Sequence, residues 1–217
     1  VLNTPGQIKA WRDFARRDDV LMESLVQVDT GMSRLGLSAS EFNAHMADPD
    51  GFVGLTPLAL MSHLACAETP DHPLNAAQRA LFASALATFQ LKFADAKGSL
   101  VNSSGIFLGN AFHFDFARPG AALYGVNPTP GDGAHLQNPM IPVVRLQARI
   151  LQVRRVDAAS PVGYGATFRA LDGAKLATVS MGYADGLLRC WGAAGHAYLD
   201  DFKVGVAGRV SMDLTIF

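Results

Sequence analysis

The hydrophobic pattern of the chain changes once, at the segment PTPGDG over residues 128–133. Before this segment, helical periods alternate with short apolar runs. After it, the pattern has mostly a period of two. Because clustered proline and glycine mark a linker or a long turn, we expect two domains, over residues 1–135 and 136–217. The pattern predicts an α/β first domain and a mostly antiparallel β second domain.

The clearest upstream element is a helix over about residues 75–96. Its apolar residues fall on one face of a 3.6-residue period, at Phe82, Leu86, Phe89 and Phe93. Asn75, followed three residues later by Gln78, predicts the N-terminal cap. Apolar runs at residues 25–28, 58–64 and 100–101 predict strands of a parallel sheet. With about four expected strands, this part is too short to close an eight-stranded barrel.

The downstream part begins with a clear alternation of apolar and polar residues. Val144, Leu146, Ala148 and Ile150 alternate with arginine and glutamine, which predicts a half-buried antiparallel strand. Further strands are expected at residues 174–181, 197–199 and 203–210.

Composition excludes several classes of function. A net charge of −1 with 17% charged residues argues against a nucleic-acid surface, and no apolar run is long enough to span a membrane. Cys66 and Cys190 have no metal-ligand spacing, so we expect two free thiols in a reducing compartment and no metal site. The first residue, Val1, indicates a chain that starts inside a longer protein.

Polar and glycine-rich motifs follow the predicted strands, where α/β folds bind their ligands. Arg34 in VDTGMSRLG suits a carboxylate or phosphate clamp, and His63 in MSHLACAE ends an apolar run. Ser103 in NSSG suits a phosphate at a helix N-terminus. Arg118 in RPGAALYG places a cation beside the open backbone of Gly120. Taken singly, these residues also fit turns, a helix cap and a buried histidine, and for Arg34 and His63 the turn and the buried histidine are favoured.

The β part contributes Tyr164, which stands between two glycines in VGYGAT. A tyrosine acts as a general base only if positive charge lowers its pKa from about 10. The motifs MGYADG and GRVSMD complete the set, and each also fits an ordinary β-turn.

The seven motifs, in this order and spacing, closely resemble those of the alanine racemase family, from about residue 20 to the end of the chain. The resemblance implies part of a TIM-like (β/α)8 barrel that binds pyridoxal 5'-phosphate, followed by part of the mostly antiparallel β domain. It implies a bacterial isomerase that interconverts L-alanine and D-alanine. A cytoplasmic location, a homodimer and the supply of D-alanine for peptidoglycan are further expectations from the family.

The resemblance also implies roles in binding the cofactor. Ser103, Gly120 and Ala121 match the positions that hold its phosphate, and Arg118 matches the arginine that faces its pyridine nitrogen. Since a guanidinium does not give up its proton, that nitrogen is expected to stay unprotonated and the ring to be a weaker electron sink. His63 matches the histidine that links this arginine to the catalytic tyrosine.

The remaining roles concern the substrate. Tyr164 matches the tyrosine that moves the α-proton on one face. Arg34 and the Met212 backbone N–H match the site for the substrate carboxylate, and Tyr183 matches a tyrosine that narrows the entrance. In the family the residues matching Tyr164, Tyr183 and Met212 serve the partner subunit's cofactor.

Two departures from the family pattern concern lysines. The second base of the family is the lysine that forms the Schiff base, and no matching motif surrounds the lysines here, at positions 9, 92, 97, 175 and 203. The end of the β domain, with its phosphate-binding tyrosine, is also unmatched, so this chain alone is expected to be inactive. Gln27 replaces a lysine that many members carbamylate, and its amide is a candidate hydrogen-bond partner for Arg34.

Two alternatives to alanine racemisation remain open. One is a broad-specificity amino-acid racemase or a fold-type III decarboxylase with the same cofactor. The other is a non-catalytic fragment that binds no cofactor. Tyr164 between glycines, together with MGYADG, favours a racemase.

Overall fold

The computed structural model of the chain describes residues 1–130 and 138–217. Within them the chain divides into two units, Val1–Val144 and Arg145–Phe217. The boundary expected between residues 135 and 136 lies outside the described residues. None of the helices in the described part is both long and apolar enough to cross a lipid bilayer.

The first unit alternates strands and helices, as its sequence pattern predicts. Its elements are α1 (Pro5–Arg17), β1 (Met22–Gln27), α2 (Ala39–Ala47), β2 (Leu55–Met61), α3 (Pro73–Gln90) and β3 (Lys97–Ser99). Among the described residues, these strands form a parallel sheet in the order β1-β2-β3, one strand fewer than expected. Three 3-10 turns follow β3, at Gly105–Leu108, Asn110–Phe112 and Ala121–Tyr124.

Helix α3 begins earlier than its sequence indicates. His72 caps it by accepting a hydrogen bond from the Leu74 backbone N–H, and Pro73 occupies the first turn. Asn75 and Gln78 therefore do not form the N-terminal cap, and both side chains are buried. The expected apolar face does bury Phe82, Leu86 and Phe89, while Phe93 lies beyond the helix end and packs on Phe52.

The second unit consists of short antiparallel strands, as predicted. They are β4 (Ile150–Arg155), β5 (Ser160–Val162), β6 (Phe168–Ala170), β7 (Lys175–Val179), β8 (His196–Leu199), β9 (Phe202–Gly205) and β10 (Thr215–Ile216). One sheet has the order β10-β7-β4, and β5-β6 and β8-β9 pair separately.

The prediction of a strand over residues 144–150 is mostly wrong. Strand β4 starts only at Ile150, because the paired part of β7 ends at Val179, opposite that residue. Val144 and Leu146 are exposed, so their alternation does not correspond to a buried face within the described residues.

Candidate active site

The first unit brings its candidate residues to one edge of the parallel sheet. The loop after β1 carries Arg34, the segment after β2 begins with Ser62 and His63, and β3 leads to Ser103. Because β1, β2 and β3 are parallel, their carboxyl ends share one edge, which is the ligand-binding edge of such folds. Arg118 returns to this edge, since its backbone N–H donates to Val101 O at 3.0 Å.

The Arg118 side chain is fixed by the ends of β2 and β3. Its Nη2 donates to Ser62 O and its Nη1 to Ser99 Oγ, while Nη2 lies 3.4 Å from His63 Nδ1. Ser99 Oγ in turn donates to Phe116 O at 2.8 Å. Burial lowers the pKa of Arg118, although a guanidinium remains charged at any physiological pH. The structure therefore holds a fixed cation at the sheet edge.

His63 is half-buried beside this cation. Burial is the largest cause that lowers the pKa of its imidazole, and the positive charges of Arg118 and Arg34 lower it further. Arginine offers only donors, so His63 Nδ1 accepts and the neutral ring carries its proton on Nε2. Nε2 itself lies 3.5 Å from Asn102 Nδ2.

The lowered pKa of His63 predicts a pH-dependent stability. The folded state favours neutral His63, so its contribution is complete above the ordinary pKa of about 6.5 and is lost as pH falls through the folded value. We expect the melting temperature of the full-length protein to fall between pH 7 and 5, and to fall less in a His63→Gln variant. A difference between wild type and variant that stays constant over this range contradicts the assignment.

The loop over residues 29–37, called here the Arg34 loop, is organised by its own backbone. Its ends pair, with Asp29 N donating to Leu37 O at 2.9 Å and Leu37 N donating to Gln27 O at 2.8 Å. The Asp29 carboxylate accepts from the backbone N–H groups of Gly31, Met32 and Ser33. Burial raises the pKa of Asp29, but these three hydrogen bonds together outweigh it, so the pKa is below its usual value.

Gln27 supports the same loop, but not through Arg34. Its side chain is buried, and its Nε2 donates to Leu35 O at 3.1 Å. The Gln27 amide therefore binds the backbone of the loop, whereas we expected it to bind Arg34. Arg34 itself is exposed, where its guanidinium is accessible to an anion.

Gly36 closes the Arg34 loop in a conformation that only glycine adopts easily. Its φ is +113°, and a Cβ there would lie 2.7 Å from both Asp29 N and Val28 C. A Gly36→Ala variant of the full-length protein is expected to lose about 2 kcal/mol or more of unfolding free energy, measured in urea. Gly109→Ala is the matched control, since its φ is +97° and its Cβ would meet nothing within 4 Å. Equal losses in the two variants contradict the close approach at Gly36.

The three residues expected to hold a phosphate, Ser103, Gly120 and Ala121, lie together after β3. The buried Ser103 Oγ accepts from Gly120 N at 2.8 Å and from Ala122 N at 3.2 Å. A Cβ added at Gly120 would meet nothing within 4 Å, so its backbone faces open space. The Ser103 hydroxyl accepts from both N–H groups, so its own O–H is free to donate to a small anion beside this unobstructed surface.

The second unit brings Tyr183 and Met212 together on its own surface. Tyr183 N donates to Ser211 O at 3.0 Å, and Ala184 N donates to Met212 O at 2.8 Å. Gly182 allows this approach, since a Cβ there would lie 2.2 Å from Met212 O. Both side chains are partly exposed, at 40% for Tyr183 and 54% for Met212.

Tyr164 is presented to solvent by a short turn in the same unit. It is 71% exposed and lies between Gly163 and Gly165, which have φ values of +69° and +74°. A Cβ on Gly165 would lie 3.3 Å from Arg209 Nη1. The segment over residues 208–213 therefore contacts both the Tyr164 turn and the Tyr183 loop.

Sequence reasoning missed four polar residues of the first unit's site: Thr30, Ser62, Gln78 and Ser99. Both Ser62 and Thr30 stand within motifs, and each could have been found because it follows a strand closely. Gln78 carries no such signal, because it lies within a helix far along the chain. Among the described residues, no group of three or more His, Cys, Asp or Glu side chains could hold a metal ion.

Comparisons with known proteins agree over the whole chain. The family described as alanine racemase, N-terminal domain, matches residues 1–128, and alanine racemase, C-terminal domain, matches residues 143–217. The alanine racemase of Rhodospirillum rubrum is 52% identical over 217 residues, covering 100% of this chain and 56% of that protein. The catabolic alanine racemase of Mesorhizobium japonicum is 46% identical over 216 residues, covering 100% and 54%. The chain thus spans about half the length of the curated relatives it matches.

Solved structures give the same result. A crystal structure of alanine racemase from Bartonella henselae, with covalently bound pyridoxal phosphate, has a TM-score of 0.85 at 38% identity, covering 99% of this chain and 58% of that one. Alanine racemase from Streptomyces coelicolor A3(2) has a TM-score of 0.88 at 30% identity, covering 100% and 57%. The fold is accordingly part of a TIM-like (β/α)8 barrel followed by part of a β domain, as expected. The chain belongs to the alanine racemase family.

Proposed function

We propose that the protein is an alanine racemase that uses pyridoxal 5'-phosphate to interconvert L-alanine and D-alanine. The observation that carries this proposal is the pairing of Arg118 with His63 at the carboxyl edge of the sheet, at 3.4 Å. A partly buried arginine beside a neutral histidine at the ligand edge of the sheet suits acid–base chemistry. The relatives named above as alanine racemases support the same reaction.

The residues of the first unit fit the proposed cofactor. When bound, pyridoxal phosphate supplies an electron-withdrawing ring that makes the α-proton of an amino acid easier to remove. Ser103, Gly120 and Ala121 form the open cradle that suits its phosphate. Arg118, which is already tied to Ser62 O and Ser99 Oγ, keeps further N–H groups for a ring nitrogen that accepts a hydrogen bond.

Tyr164 and His63 are assigned to proton transfer. Tyr164 is assigned to remove or return the α-proton on one face of the substrate bound by the partner subunit, and His63 to link the partner's Tyr164 to Arg118. We infer that the second base is a lysine that this chain does not supply, so the chain alone is inactive. Lys9, for example, pairs with Asp13, and Lys92 donates to the carbonyl oxygens of Asp48 and Pro49.

Arg34, Met212 and Tyr183 are assigned to the substrate. The exposed guanidinium of Arg34 and the Met212 N–H bind its carboxylate. Tyr183 limits the space for the side chain to that of alanine. Tyr164, Tyr183 and Met212 are exposed on the second unit, which suits a homodimer in which they complete the partner's site. Residues 1–135 and 136–217 are proposed as the two domains.

We further infer a cytoplasmic enzyme that supplies D-alanine for peptidoglycan. The free thiols of Cys66 and Cys190 suit a reducing compartment. A strain that lacks the protein and its isozymes should require D-alanine in the medium. Growth of that strain without D-alanine contradicts this role while leaving the reaction itself untouched.

The reaction is tested by incubating the full-length holoenzyme with L-alanine in D2O. We expect D-alanine to form and the α-proton signal to disappear from the NMR spectrum at a comparable rate. Racemisation of lysine or arginine at a similar kcat/KM supports the broad-specificity alternative, and release of carbon dioxide supports a decarboxylase. No change in alanine contradicts the proposed function.

A further inference from the structure

Gln78 is a fully buried amide on α3 that lies between two candidate site segments. Its relative exposure is 0%, although glutamine is usually an exposed residue. Nothing in the helix requires a polar residue there, because the N-terminal cap is supplied by His72. A buried amide is stable only when its hydrogen-bonding groups are satisfied, so its partners explain why it is there.

The Gln78 amide makes three hydrogen bonds, and all three partners lie at the site. Its Nε2 donates to His63 O at 2.9 Å and to Thr30 Oγ1 at 3.2 Å, and its Oε1 accepts from Ala65 N at 2.9 Å. The partners fix the orientation of the amide, since a carbonyl needs the NH2 side and an N–H needs the oxygen side.

Thr30 extends this network toward Arg118. Its Oγ1 lies 2.7 Å from Ser62 Oγ, and both side chains are buried. The backbone carbonyl of the same Ser62 accepts from Arg118 Nη2. The Arg34 loop also packs directly on the helix, since a Cβ on Gly31 would lie 3.5 Å from Gln78 Cγ.

We propose that Gln78 is a positioning residue that holds the Arg34 loop and the segment over residues 62–68 in register. It does so from a helix that carries none of the catalytic groups. The amide connects the substrate-binding arginine to the Arg118–His63 pair through Thr30 and Ser62. Its kinetic consequences rest on the proposed racemase function, whereas its effect on the order of the two segments does not.

The test compares variants of the full-length holoenzyme. Gln78→Met keeps the side-chain length and removes all three hydrogen bonds. Thr30→Val keeps the shape of Thr30 and removes only the hydroxyl link. Gln90→Met is the matched control, because Gln90 is on the same helix and donates from Nε2 to Ala96 O at 2.9 Å, away from these segments.

Amide hydrogen exchange of peptides over residues 28–37 and 62–68 is the first readout. We expect Gln78→Met to exchange at least about tenfold faster in both peptides, the size expected when buried polar groups lose their partners. Gln90→Met should leave both peptides unchanged. Wild-type exchange in Gln78→Met overturns the proposal. If that variant does not fold, faster exchange of residues 28–37 in Thr30→Val supports the proposal and unchanged exchange overturns it.

Kinetics provide the second readout. The KM for L-alanine should rise about tenfold in Gln78→Met, and adding Thr30→Val should change it little further, because both substitutions break one network. Full additivity of the two substitutions, or an equal rise in Gln90→Met, overturns the proposal. A wild-type enzyme without alanine activity refutes the proposed function instead, and the exchange data then still decide the role of Gln78.

Discussion

A Tyr164→Phe variant of the full-length protein is expected to racemise alanine about 10²- to 10⁴-fold more slowly, the usual contribution of a positioned acid–base group. The substitution removes one hydroxyl from a side chain that is 71% exposed. The flanking glycines, rather than packing of the ring, set the course of the turn. Folding and cofactor absorbance should therefore remain those of the wild type.

The two-base mechanism makes this prediction sharper. If Tyr164 serves only one face of the substrate, Tyr164→Phe should retain exchange of the α-proton for deuterium in one enantiomer of alanine and lose it in the other. Tyr198→Phe is the matched control, because Tyr198 is an exposed tyrosine of the same unit on β8. Equal loss of exchange in both enantiomers, or wild-type racemisation, contradicts the role of Tyr164.

The sequence could predict the candidate residues but only part of their geometry. Ser103, Gly120 and Arg118 stand in motifs whose order is specific, and the structure brings each to the same end of the sheet. Their contacts are long-range in sequence, such as that from Arg118 to Ser62, and no periodicity encodes them. How these residues act remains a prediction.

Local patterns failed where tertiary contacts decide the outcome. The pair Asn75 and Gln78 matches a capping pattern, yet His72 and Pro73 start the helix earlier and leave both residues to bury their amides. The alternation at residues 144–150 has the period of a strand, but a strand forms only opposite a partner, and β7 reaches no further than Ile150. Gln27 shows the same limit, since its amide turns to Leu35 O rather than to Arg34.

An Arg118→Lys variant should retain the positive charge at the sheet edge and still lose most activity. One ammonium group cannot reproduce the planar set of donors that meets Ser62 O, Ser99 Oγ and His63 Nδ1. Unlike a guanidinium, it can also give up its proton to a ring nitrogen. We expect kcat for racemisation to fall about 10²-fold or more, as for loss of a preorganised electrostatic contact, and the melting temperature to fall by a few degrees.

A second variant and a control separate charge from geometry. Burial is the largest cause that lowers the pKa of His63, and the charges of Arg118 and Arg34 lower it further. Because Arg118→Gln removes one of these charges, the acidic limb of its pH–rate profile should move to higher pH. Arg118→Lys keeps the charge, so its acidic limb should stay nearer the wild-type position. Arg79→Lys is the matched control, since Arg79 donates from Nε to Ala111 O at 2.7 Å elsewhere in the unit. An Arg118→Lys enzyme with wild-type kcat would show that charge alone suffices, and the hydrogen bonds that fix Arg118 would then serve folding rather than the reaction.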